Sequence, residues 1–399
     1  ASGNPVAIAT GSDGQVLTST GAGSPPAFES VSSSVSAIND LSDAVTSATS
    51  NIGLGTNAVN SITTGDYNVG LGEDALTATT SGSRNTAIGY TALQANTTGD
   101  QNTANGREAL YTNSTGSNNT GLGYQSLIFN TTADNNTGVG HSSLRTNTTG
   151  TNNVAVGKDA LYANTTAASN TAVGFQNLLV NTTGADNTSV GKKALAANTT
   201  ASYNSAFGHE ALAANTTGTS NTAVGYNSLT ANTTGTRNTA TGMSSGIANT
   251  TGGNNTSFGA YSFITNTTSS QNAAFGDSAL YANTAANNTG LGFAAGYRTT
   301  SGADNTAVGS QALYDNTTGA ENVAVGKEAL KTNTTGAKNV AVGTEALEFN
   351  TTGDYNVAMG YDALYNNTTA DNNTAIGYYS LFTNTTGTSN VAVGYGSLD

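Results

Sequence analysis

The sequence predicts an all-β fold, a parallel β-roll or β-solenoid of about 21 coils of 17 residues, behind a short N-terminal coiled-coil helix. Three observations predict the coils. The Asn that opens the stretch Asn221 to Arg237, NTAVGYNSLTANTTGTR, also stands at Asn204, Asn238 and Asn255, always 17 residues apart, and with one exception the step runs from Asn51 to Asn390. Counting from that Asn, position 5 is glycine in every copy, Gly157, Gly174, Gly225 and Gly309 among them. Position 4 is mostly aliphatic or Phe, as in Val156, Val173, Val224 and Val308, and position 9 is mostly Leu, as in Leu161, Leu178, Leu229 and Leu313.

Positions 2 and 4 suit a short strand with one buried face, because strand side chains alternate with period two. Together with position 9 they make the expected core. The glycines at positions 5 and 15 mark the bends, and the small Ala at position 3 leaves room for another chain to approach. Such a coil is too short, and too rich in Thr, Asn and Gly, for a helical pair. Two short strands per coil fit, each pairing with its own copy above and below. One coil cannot bury Val224 and Leu229, but a stack makes a continuous thin core. With strands about 4.8 Å apart, the stack is a rod of roughly 100 Å.

Composition agrees with an extended array. Only 9% of the 399 residues are charged and 49 are glycine, but the phase of positions 4, 5 and 9 argues against low-complexity disorder. Cysteine is absent, which excludes disulfides and thiolate metal sites. The formal charge of −13 disfavours nucleic acid, and no apolar run is long enough to span a membrane. The chain begins at Ala1 without a signal peptide and stops at Asp399 inside a repeat, so both ends read as cuts.

In chain order, residues 1–30 read as an extended connector with Pro25-Pro26 and short strands around Val6 to Ala9 and Gln15 to Thr18. Residues 31–50 read as a coiled-coil stub. Val31, Ile38, Val45 and Ile52 lie seven apart with Leu41 between them, which suits a parallel helical bundle, or else one amphipathic helix lying on the roll. Residues 51–399 form the array. One copy, from Asn272 to Asn287, is a residue short in its Asn-Thr-Thr-Gly corner; Gly246 and Gly296 replace the position-9 Leu, and Asn105 and Thr241 replace the aliphatic position 4.

The Asn221 to Gly225 and Ser228-Leu229 pattern resembles the left-handed parallel β-roll repeats of trimeric autotransporter adhesin heads of the YadA-like class. Repeats of that class are commonly shorter, and the Asn-Thr-Thr-Gly corner departs from them. The leader Gly11 to Ser30 resembles segments of bacteriophage tail fibres, in which such arrays precede a self-cleaving chaperone domain. Both families are homotrimeric fibres for attachment to cells. The resemblance implies a self-associating shaft, extracellular, on a cell surface or on a virion, with a cell-surface glycan or receptor as partner.

Chemistry-bearing residues are sparse, and neither a cofactor nor a catalytic constellation is expected. His141 and His209, both at position 6, stand four coils apart, too far to share a metal. Asp159, Glu210, Glu328, Glu345 and Asp362 share position 7, beside Lys158 and Lys327. Stacked carboxylates can bind cations, but here they read as solvated surface with no metal site. Tyr90, Tyr124, Tyr226, Tyr361, Tyr378 and Tyr395 recur at position 6, suited to subunit packing or to glycan contact. The Asn-Thr-Thr corners at Asn130, Asn164, Asn232, Asn316 and Asn350 are either a hydrogen-bonded Asn ladder or glycosylation acceptors. The expectation is a non-enzymatic attachment shaft; the alternatives are an extracellular filament or coat, possibly glycosylated, and an ice-binding solenoid using its Thr rows.

Overall fold

The computed structural model describes residues 15–18, 27–30, 44–45 and 50–398. Strands are numbered β1 to β24 in chain order. β1 (Gln15–Thr18) and β2 (Ala27–Ser30) form an antiparallel pair with Gln15 opposite Ser30. The expected strand at Val6 to Ala9 lies outside the described residues.

From β4 (Ile52–Leu54) to β24 (Val391–Val393) the chain repeats one three-residue strand per coil, each parallel to the next. The register advances by one repeat, so in β10 (Val154–Val156) Val154, Ala155 and Val156 sit opposite Thr171, Ala172 and Val173. The expected second strand is absent among the described residues. Its place is taken by a turn whose backbone still bonds coil to coil: Asp159 N–H donates to His141 O (3.0 Å), Leu161 N–H to Asn177 O (3.0 Å) and Ser169 N–H to Thr151 O (3.0 Å). Left-handed residues build the turn, with φ of 57° at Asp159, 49° at Leu161 and 60° at Ser169. A buried backbone must find partners, and this conformation turns successive N–H groups toward the neighbouring coils.

The strand faces are the reverse of the expected ones. Ala155 at position 3 and Ala160 at position 8 are buried with Leu161, Leu178, Leu229 and Leu313, whereas Val156, Val173 and Val308 are half-buried and Val224 is 37% exposed. The reason is width. A Cβ placed on Gly121, at position 3, would lie 3.3 Å from Leu110 Cγ, the position-9 side chain of the preceding coil. Leucine from one wall fills the interior, and only Ala, Ser or Gly fits opposite. The core falls into three blocks, Ala58 to Ala240, Phe263 to Leu280 and Ala295 to Ala392, with breaks beside Gly246 and Gly296.

The short copy keeps its ladder. β17 (Ala273–Phe275) and β18 (Thr289–Leu291) pair Ala273 with Thr289 and Phe275 with Leu291, so the missing residue is absorbed in the corner. There Asn283 turns its amide to Asn272 Oδ1 (3.1 Å).

Of the expected N-terminal helix only residues 44–45 and 50 lie among the described residues, and at 44–45 the chain is a strand. β3 (Ala44–Val45) is extended and antiparallel to β4, with Val45 opposite Gly53, and Ile52 belongs to the first coil. A sheet edge offers unpaired backbone groups, and covering them outweighs the weak helical preference of a Ser/Thr-rich segment. Val31, Ile38 and Leu41 lie outside the described residues.

Candidate functional site

Two buried asparagine columns set the frame from which the surface rows project. At position 1, Asn170 N–H donates to Asn153 Oδ1 (3.0 Å) and Asn170 Nδ2 to Gly184 O (2.9 Å). At position 12, Asn130 Nδ2 donates to Asn113 Oδ1 (2.8 Å) and Ala133 O (3.0 Å); Asn164 and Asn232 repeat both bonds with Asn147 and Asn215. Asn350 bonds Asn333 likewise, while Asn316, which follows Thr299, keeps the bond to Gly319 O (2.9 Å). All five corner amides are fully buried. The corner asparagines thus form the hydrogen-bonded ladder, and a sugar on Nδ2 would remove one of its two donated bonds. Asn164→Ala is expected to cost about 2–4 kcal/mol, since it removes two donated bonds and strands buried acceptors. Denaturant titration measures this, and a change under ~1 kcal/mol would show the column to be dispensable.

Outside the frame, positions 6, 7 and 10 form a strip of variable chemistry along the stack. Rings stack face to face: Tyr361 on Tyr378 (centroids 5.3 Å, 14°), Tyr378 on Tyr395 (5.4 Å, 3°) and Tyr297 on Tyr314 (5.1 Å, 5°). Arg107 lies between Tyr90 and Tyr124, 5.6 and 5.8 Å from their centroids. Within such runs neighbouring rings cover the faces, so a sugar meets ring edges and hydroxyls and not an open stacking platform. His141 packs beside Tyr124 and His209 beside Tyr226, with no contact between the two histidines. The hydrogen bond that the Tyr379 O–H donates to Tyr378, then burial, push the Tyr379 phenol up to about 12.

The position-7 carboxylates differ along the strip. Asp159 lies 3.9 Å from both Lys158 Nζ and His141 Nδ1. Glu328 and Glu345 form a tighter group with two position-10 residues that spacing alone does not single out, Lys331 and Glu348, and Asp362 borders Glu345. Lys331 Nζ stands 3.2 Å from Glu328 and 3.7 Å from Glu348, and Lys327 Nζ stands 3.2 Å from Glu328 and 3.9 Å from Glu345. Burial opposes ionisation of Glu328, but hydrogen bonds from Lys331 and Lys327 outweigh it and hold the carboxyl below its ordinary range. Burial raises Glu348, and burial followed by the charge of Glu345 raises Asp362.

The opposite wall is threonine. Thr165, Thr182 and Thr199, at position 13, donate their hydroxyls to the position-13 carbonyl of the next coil, while Thr166, Thr183 and Thr200 stand exposed beside them. Among the described residues no helix is long and apolar enough to cross a membrane. The fold thus defines a parallel β-solenoid of tandem 17-residue coils. Compared with known protein families, curated proteins and solved structures, the chain finds no match in any of the three.

Proposed function

We propose that the chain is the shaft of an extracellular or virion-borne attachment fibre, that copies of it pack side by side as a homotrimer, and that it catalyses no reaction. The observation that carries this reading is the outer face of the sheet. Positions 2 and 4 hold not one charged residue from Ile52 to Val393, yet Phe207, Phe258, Phe275, Leu291 and Met359 stand exposed along it. A continuous uncharged face with exposed bulk argues for a covering partner. Three residues wide and as long as the stack, it offers roughly 1,000 Å² per chain, comparable with one side of a stable interface. A second copy matches it in length and in lack of charge.

The test is the solution mass by light scattering, for the native protein and for Val190→Lys/Val224→Lys. Three chains are expected for the native protein and one for the variant, with the β-type circular dichroism unchanged. A folded native monomer would overturn the proposal. The exposed position-14 threonine row favours a second reading, ice binding, which thermal hysteresis of the same sample tests.

A further inference from the structure

The acidic group on coils Asn322 to Asn373 goes beyond what a shaft requires. One carboxylate oxygen from each of Glu328, Glu345 and Glu348 lies within 4.8 Å of the other two. Asp362, one coil further along the position-7 column, is 5% exposed; its carboxyl meets that of Glu345 and takes a hydrogen bond from the Tyr379 phenol, while its Oδ1 has no hydrogen-bond partner. A buried carboxylate oxygen without a donor is costly and points to a missing ligand.

We infer that Glu328, Glu345, Glu348 and Asp362 form a binding site for a calcium-class divalent cation that ties three successive coils together. Calcium takes six to eight oxygens at 2.3–2.6 Å in flexible geometry, whereas magnesium demands a near-ideal octahedron at about 2.1 Å and sheds its waters reluctantly, so an uneven set of carboxylates from three coils favours the calcium class. The donor set is oxygen only, as hard cations prefer. Four carboxylates face two ammonium groups, Lys327 and Lys331, which leaves two negative charges when all are ionised. Glu348 is itself only 7% exposed. Its burial and that of Asp362 resist ionisation, so a divalent ion relieves a charge the protein otherwise holds poorly. The lysines are the competitors. Lys327 is 58% exposed and free to swing outward, while Lys331, at 29%, sits between Glu328 and Glu348 where the ion would lie.

Terbium serves as the probe, because Tyr361, Tyr365 and Tyr379 border the site and tyrosine sensitises its emission. The native protein is expected to show tyrosine-sensitised terbium emission that calcium chases and magnesium chases poorly. Glu345→Gln/Glu348→Gln should abolish that emission; Gln at 348 resembles the protonated carboxyl, so the fold is retained, as circular dichroism would verify. Lys331→Gln should tighten calcium binding severalfold, an outcome a purely structural salt bridge would not give. Emission unchanged in the double variant, or calcium binding unchanged or weakened in Lys331→Gln, would overturn the assignment.

Discussion

Leu161→Asp is expected to destabilise the coil from Asn153 to Ser169 by about 4 kcal/mol or more and to divide the solenoid into two blocks that melt separately. Leu161 is fully buried in the first core block, where Ala155 and Ala160 of its own coil are buried with it. The carboxylate would lose the leucine's burial and find no cation inside, since no Lys, Arg or His is buried among the described residues. Because each coil touches only its neighbours, the damage stays local and shows as a break and not as a uniform loss. Limited proteolysis should cut within residues 153–169 and release two protected fragments, with a second transition in the denaturation curve. Leu161→Met, which conserves volume, should cost less than about 1.5 kcal/mol. A single unchanged transition for the Asp variant would show that Leu161 does not hold neighbouring coils together.

Gly157→Val should be nearly as damaging, for a different reason. Gly157 has φ of 131°, and a Cβ there would lie 2.4 Å from Gly174 O in the next coil. Strained backbone costs about 1–3 kcal/mol and overpacking against a fixed carbonyl about 1–3 more, so the sum is about 2–6 kcal/mol. Gly150, at position 15, is the informative comparison. Its Cβ would come as close to Ala167 O, but its φ is not positive, and Ala133 and Ala167 occupy the same position in adjacent coils. Gly150→Ala is therefore expected to be mild. Equal losses for Gly157→Ala and Gly150→Ala would show that crowding, and not the backbone angle, makes position 5 invariant.

The period, the turn glycine and the leucine column were legible because each is a chemically distinct residue held in phase. Which strand face points inward was not. Positions 2 and 4 hold the bulk, and bulk usually marks the core; here a Cβ on Gly290 would lie 2.9 Å from Leu280 Cγ, and the interior has no room for valine. The left-handed leucines were illegible for another reason. Nothing in Leu favours positive φ, and Leu161 adopts it at about 1–2 kcal/mol because burying its side chain returns roughly 1.5–3 kcal/mol. Val45 misled in the opposite direction: its heptad spacing was real, but a strand partner at Gly53 was available and won. The position-7 carboxylates could be lined up from spacing alone, whereas Glu348 and Lys331 join them only because the turn curls position 10 back onto the same side.

The one-repeat register of every ladder bond from Val154 to Thr171 and beyond has a genetic consequence. A coil's partners are the same residue types in its neighbours, so losing or duplicating a whole repeat joins two surfaces that already fit. Slipped recombination can therefore lengthen or shorten the gene in steps of one coil, about 4.8 Å of rod, without a new packing problem to solve. The one-residue loss between Asn272 and Asn288 marks where smaller edits survive: in the corner, outside the strand. The length of the stack can therefore change while its chemistry stays the same.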